Sequence, residues 1–224
     1  MSGYHKNEVY ALLNNKGIPY EAVEHEAVFT MEEMERAGID AHGCICKNLF
    51  LRDAKGRQHY LVTVPDEQRV DLKWLSAALG SSKLSFASAE RLDTYLKLPQ
   101  GSVSPLGILN DESRSVIFAA DAALASLPAI GVHPNDNTAT VFLSFADLRR
   151  IIEAHGNSVV LIDFSGCPPQ TRSSAPLPAC AAPEAGLFAP MGFQRFLQAF
   201  LCLVKEFDVY LLLKIRPTRC KISP

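Results

Sequence analysis

A chain of 224 residues, 48% hydrophobic and 21% charged, has ordinary globular composition, and a domain of about 150 residues can bury a core without disulfides or metals. The formal net charge of −2 excludes the strongly basic surface of proteins that grip long nucleic acids, so any such contact is expected to be local, with a shallow salt dependence. Met1 to Lys6 lacks the apolar core of a signal peptide, and the most apolar stretch, Phe196 to Ile215, is broken by Lys205, Glu206, Asp208 and Lys214, which speaks against a membrane span.

In chain order, residues 5 to about 16 predict an amphipathic helix, with Val9, Leu12 and Leu13 at helical spacing and Gly17 as the stop. Tyr20 to His25 predicts a short strand. Thr30, with Glu33 three residues on, predicts a capped helix over Met31 to Ala37. Cys46 to Leu51 and His59 to Val64 are strand-like, joined by a polar turn with Lys55 and Gly56. Asp71 caps a helix through about Leu79, and Ser88 opens another through about Leu96. Leu98 to Asp111 has no helical period and is expected as a loop with a defined path. Strands follow at Ser115 to Ala119, Ala129 to His133 and Thr138 to Ser144. A helix over Phe145 to His155 ends at Gly156, and Ser158 to Phe164 is the last strand. Irregularly interleaved strands and helices point to an α+β domain with a mixed sheet.

That domain is expected to span residues 1–164. Residues 165–186 are rich in Pro, Ser and Ala and read as a linker. Residues 187–224 form a hydrophobic tail to which no role is assigned. The six cysteines fit reduced thiols in the cytoplasm. Cys44 and Cys46, with one residue between them, are expected on opposite faces of their strand, and their spacing is wrong for a CxxC metal or redox motif. The His and Cys residues have no ligand spacing, so neither a metal nor a cofactor is expected.

Three segments carry chemistry. Lys47 lies in the apolar run Cys44-Ile45-Cys46-Lys47-Asn48-Leu49-Phe50. It is either an inward lysine that needs an acceptor or a lysine guarding an edge strand. The run Gly101-Ser102-Val103-Ser104-Pro105-Leu106-Gly107 combines glycines, which let the backbone approach a ligand, with prolines that stiffen the path. It is either a binding loop or a structural turn. His133 ends a strand and is followed by Pro134-Asn135-Asp136-Asn137-Thr138, a place where function or structure can reside. The sequence has no nucleophile elbow, P-loop or HExxH.

Taken in order, Lys47-Asn48-Leu49-Phe50, then Gly101 to Pro105, then His133-Pro134 resemble the YbaK/EbsC-type aminoacyl-tRNA deacylases, a family that includes the editing domain of bacterial prolyl-tRNA synthetase. The resemblance runs from about residue 5 to Phe164. It implies a strongly curved, barrel-like mixed sheet with surrounding helices. The runs from Gly101 to Asp111 and from His133 to Thr140 most resemble the free-standing members that clear alanine from tRNA specific for proline. Clearing of cysteine or another small residue is the alternative within the class, and a non-catalytic tRNA-binding or regulatory protein the alternative outside it. The resemblance implies that Lys47 and the loop Gly101, Ser102, Val103, Ser104 and Pro105 form the catalytic site. Asn48 would bind substrate, His133 and Asn137 would hold the amino group or ribose, and Thr30 would line the entrance. The partner would be the CCA end of a mischarged tRNA, with prolyl-tRNA synthetase as a further partner. No covalent nucleophile is implied. Backbone N–H groups of residues 101 to 104 would stabilise the oxyanion, and the hydroxyls would not.

Overall fold

Each described helix starts where a polar side chain takes up a free backbone N–H. The computed structural model describes residues 3–27 and 38–168. These fall in the first of two units, Met1–Arg172; the second, Ser173–Pro224, lies outside them. The expected helix over Met31 to Ala37, its cap Thr30, most of the linker and the tail from Leu187 also lie outside the described residues. Helix α1 (Lys6–Asn15) buries Val9 and Leu13, and Glu8 accepts the His5 N–H at 3.1 Å. Asp71 accepts the Trp74 N–H at 2.7 Å to open α2 (Leu72–Ala78), and Ser88 accepts from Arg91 to open α3 (Ala89–Leu96). Ser144 opens α4 (Phe145–His155), which ends at Gly156 with φ 104°, a backbone conformation that costs glycine nothing. No described helix is long and apolar enough to cross a membrane.

The strands are β1 (Glu21–Glu24), β2 (Cys44–Arg52), β3 (His59–Pro65), β4 (Ser85–Phe86), β5 (Val116–Asp121), β6 (Ile130–Val132), β7 (Ala139–Leu143) and β8 (Val159–Ile162). They form one sheet in the order β1-β7-β6-β2-β3-β5-β8, with β4 also paired to β2. The pairs β2–β6, β3–β5 and β5–β8 are parallel and the others antiparallel. The expected α+β class with a mixed sheet is therefore the class observed.

Side chains alternate across the sheet and build separate cores. Cys46, Phe50, Leu61, Phe118, Val132 and Val141 join α1, α3 and α4 in the largest. Leu51, Tyr60, Val62 and Val64 pack with Leu75 of α2 and with Phe164. Ile39 and Phe142 form a small third cluster with Val23 and Ile45.

Two sequence expectations fail. Cys44 and Cys46 do not face opposite ways: positions two apart on a strand share a face, and the Cys46 thiol donates back to the Cys44 carbonyl at 3.8 Å. The stretch from Leu98 to Asp111 is not all loop. Pro105–Asn110 is a 3-10 helix, opened by Ser104 and with Pro105 in its first turn. Its three-residue repeat escapes a search at period 3.6. Sequence reasoning also missed the two-residue β4 and the short 3-10 turns at Ile39–His42, Ala122–Ser126 and Phe164–Gly166.

The N-terminal segment is stitched into this frame by two amides. Tyr4 donates its N–H to Asn110 Oδ1 at 2.6 Å. Its carbonyl accepts from Asn135 Nδ2 at 2.7 Å and from Asn110 Nδ2 at 3.3 Å.

Candidate functional site

The site lies where β2 changes neighbours. On the side away from β3, β2 pairs with β6 through Cys44 and Ile45 and with β4 through Leu51 and Arg52. Between these ladders, the only bond to that side among the described residues is from the Ala87 N–H to the Phe50 carbonyl, at 2.9 Å. Lys47 sits in this interval, in an interior strand, so the edge-guard reading of this lysine fails. It is level with Val64 of β3, and its half-buried Nζ donates to the Asp66 carbonyl at 2.5 Å. Burial lowers its pKa below the ordinary lysine value; the Asp66 carboxylate opposes the shift and Arg69 adds to it.

The Gly101–Pro105 loop is tied to the end of β6 through one hydroxyl. Ser104, fully buried, donates from Oγ to the His133 carbonyl at 2.5 Å and accepts the Leu106 N–H at 3.2 Å. Its role is to join the loop, the 3-10 helix and the strand end. Gly101 has φ 86°, where a β-branched residue is strained. The Ser102 N–H is spent on the Pro99 carbonyl at 3.2 Å. The N–H groups of Gly101, Val103 and Ser104 have no partner among the described residues.

His133 presents a lone pair. Its Nδ1 lies 2.9 Å from the Ala139 carbonyl. A carbonyl only accepts, so Nδ1 carries the proton and Nε2 is the free acceptor. Burial lowers the pKa of the ring; the bond to Ala139 opposes this, His25 adds to it and Asp136 opposes it. The β6–β7 register, continued one pair past Val132–Val141, sets His133 opposite Thr140. Continuing β2–β6 two pairs past Ile45–Gly131 sets Lys47 level with His133. Lys47, His133 and Thr140 thus share one sheet face by alternation.

This face combines a half-buried cation with an imidazole, and the Gly101–Pro105 loop reaches the adjoining strand end through the Ser104 bond to the His133 carbonyl, a set suited to a polar ester. The aminoacyl-tRNA editing domain family matches residues 25–151 of the chain. The chain belongs to that family. Prolyl-tRNA editing protein ProX of Acetoanaerobium sticklandii is 51% identical over 159 residues, covering 71% of this chain and 97% of that protein. Prolyl-tRNA synthetase associated domain-containing protein 1 of Danio rerio is 35% identical over 161 residues, covering 71% of this chain and 87% of that protein. A crystal structure of a protein assigned as a trans-editing enzyme for prolyl tRNA synthetase superposes with a TM-score of 0.57 at 21% identity, covering 73% of this chain and 97% of that one; it supports the fold alone.

Within this editing domain the expected residues are only partly gathered. Ser104 reaches the His133 carbonyl at the strand end, and Lys47 lies on the face of the His133 side chain by register. Asn48 turns the other way: it pairs with Thr63, whose hydroxyl donates to Asn48 Oδ1 at 2.7 Å. Asn137 is half-buried in the turn after His133. Thr30 lies outside the described residues. Sequence reasoning missed His25 and Thr140, which flank His133. The period-two alternation from Val141 back to Thr140, and from Val23 on to His25, was the available signal. A cavity of about 510 Å³ borders Asp93, Lys97, Glu112 and Arg114 and includes none of these residues. Its two acidic and two basic side chains cancel.

Proposed function

We propose that this chain is a free-standing deacylase that removes alanine from tRNA specific for proline. The carrying observation is the Ser104 clamp, which holds a loop with three N–H groups that have no partner among the described residues against the strand end that presents His133. Hydrolysis of an aminoacyl ester needs a water at the carbonyl and donors for the developing oxyanion. Each such donor is worth about 3 kcal/mol. The N–H groups of Gly101, Val103 and Ser104 take that role. The Ser102 N–H, already bonded, does not.

His133 Nε2 accepts a hydrogen bond from the substrate's α-ammonium or a ribose hydroxyl. Lys47 supplies a point charge toward the ester or the terminal phosphate. The substrate part that reaches this face is the CCA end, which suits the modest net charge of −2. The names carried by the relatives from Acetoanaerobium sticklandii and Danio rerio support proline tRNA as the carrier. Alanine is favoured over proline because a small pocket excludes the larger cyclic residue sterically, whereas missing contacts alone discriminate by only about 1–3 kcal/mol.

The test is a panel of alanyl-, cysteinyl- and prolyl-tRNA specific for proline, with alanyl-tRNA of the alanine acceptor as control. Rapid hydrolysis of the first, with the prolyl ester spared, is the expected result. Preference for the cysteinyl ester moves the specificity to the alternative. No turnover of any ester leaves a non-catalytic tRNA-binding protein.

A further inference from the structure

His25 stands one residue beyond β1, and its N–H extends the ladder to the Thr138 carbonyl at 3.0 Å. Its Nδ1 lies 2.7 Å from the Glu26 carbonyl and its Nε2 3.0 Å from Thr140 Oγ1. The carbonyl fixes the proton on Nδ1, so Nε2 accepts the threonine hydroxyl proton. The His25 and His133 ring centroids are 6.3 Å apart, tilted by 58°, within the range of packed rings. Both imidazoles therefore send Nδ1–H into a main-chain carbonyl, and only the Nε2 of His133 is left open. We propose that His25 is a positioning residue for deacylation, holding the Thr140 hydroxyl away from His133 so that the Nε2 of His133 meets the substrate. The proposal rests on the deacylase reading of this face.

The physical need is plain at Thr140, which is 1% exposed. A buried hydroxyl left without an acceptor is destabilising, so its proton goes to whichever acceptor lies at hand. His25 Nε2 supplies one. Without it, His133 Nε2, the atom assigned to the substrate and without a partner among the described residues, lies on the same face as an alternative acceptor. His25 also acts on His133 through charge. The groups facing His133 are His25 beside β1, Asp136 in its own turn, and Lys47 by register on β2; Lys6 of α1 bonds Thr138 Oγ1 at 3.3 Å and pairs with Glu24. Of these, His25 lowers the His133 pKa and Asp136 raises it.

The experiment compares the full chain with His25→Ala, His25→Gln and Thr140→Val. Kinetics use the mischarged tRNA that the unaltered chain hydrolyses fastest. For His25→Ala, kcat should fall by about tenfold to a hundredfold, the range that misplacement of a reacting group produces, while KM stays within about threefold, as for an interaction used after binding. His25 lowers the His133 pKa, so removing it should move the His133 Cε1–H titration and the acid limb of kcat/KM to higher pH. His25→Gln keeps an acceptor for Thr140 and should recover most of kcat. Thr140→Val removes the competing hydroxyl and should also retain kcat.

Unchanged kcat in His25→Ala overturns the proposal. So does lower thermal stability with an unmoved His133 titration, the mark of a merely structural residue. If His25→Ala fails to fold, the Gln variant decides, and loss of kcat there equal to that of a His133→Ala chain overturns it. The His133 titration needs no substrate. A chain that hydrolyses no ester in the panel therefore removes the substrate reading, while the coupling of the two imidazoles is still decided by the titration.

Discussion

Replacing Ser104 by alanine tests whether one buried hydroxyl holds the loop on the strand. The substitution removes two hydrogen bonds at a residue with no exposed surface, one to the His133 carbonyl and one from the Leu106 N–H. A buried group left without its partner costs about 1–3 kcal/mol, and loss of a helix-opening side chain costs about 0.5–2 kcal/mol. These overlap at the Leu106 N–H, so the total is about 2–4 kcal/mol by the same hydrogen-bond values. A domain with about 5–15 kcal/mol of stability survives that. Urea denaturation should show the loss as a lower midpoint with the same slope. Deacylation should fall by up to about 10²-fold, because the loop N–H groups lose their position relative to His133. Single-turnover kinetics with trapping at low pH separates this from nucleophilic catalysis, since Ser104 never carries the aminoacyl group here. A Ser104→Ala protein within about 0.5 kcal/mol of the parent and fully active refutes the clamp. An aminoacyl-serine trapped in the parent chain refutes the whole assignment of roles.

Lys47→Ala should abolish deacylation while leaving a well-folded protein, checked by circular dichroism beside the kinetics. Its lowered pKa means that the unfolded chain binds the proton more tightly, so Lys47 opposes folding below the folded value and this penalty fades as pH rises toward 10.5. Gly101→Val should impair kcat far more than Ser102→Ala, since φ 86° strains valine and the Ser102 hydroxyl is given no role; the reverse order in a kinetic comparison defeats the oxyanion reading. The lowered pKa of His133 keeps it neutral at pH 7, so kcat/KM should hold through 6.5 and decline only below it, and the residue's contribution to stability should be lost as pH falls from 6.5 through the folded value. A chain ending at Pro168 keeps all eight described strands and four helices and should fold and deacylate, as thermal melts and kinetics of residues 1–168 would establish.

Legibility in the sequence followed the strength of the local signal. Asp71, Ser88 and Gly156 marked helix ends because capping is a contact between near neighbours. The alternation from Thr138 to Ser144 gave β7 nearly to the residue. Lys47 was visible as a charge in an apolar run, but whether its strand was interior depended on β6, far away in the chain. Asn48 was carried into the site with its neighbour, although adjacent strand residues face opposite ways. Ser104 was placed in the loop correctly and its partner was not, because the His133 carbonyl is 29 residues on. The pairing of His25 with Thr140 spans 115 residues; alternation could give each residue its face but not its partner.

The stitching of Tyr4 and β1 has a consequence for how the chain is made. Tyr4 is held by Asn110 and Asn135, and Glu21–Glu24 pairs with Phe142 back to Ala139. The first two dozen residues therefore leave the ribosome long before their partners exist. At about 5–20 residues per second, the wait is on the order of ten seconds. A free strand in that interval is a template for pairing with other chains. β1 carries Glu21 and Glu24 at its ends, and in the folded protein α1 offers Lys6 to Glu24. The same two carboxylates that later meet Lys6 and His42 on the folded surface would keep nascent chains apart on a polysome, so a strand that waits for its partner resists sticking meanwhile.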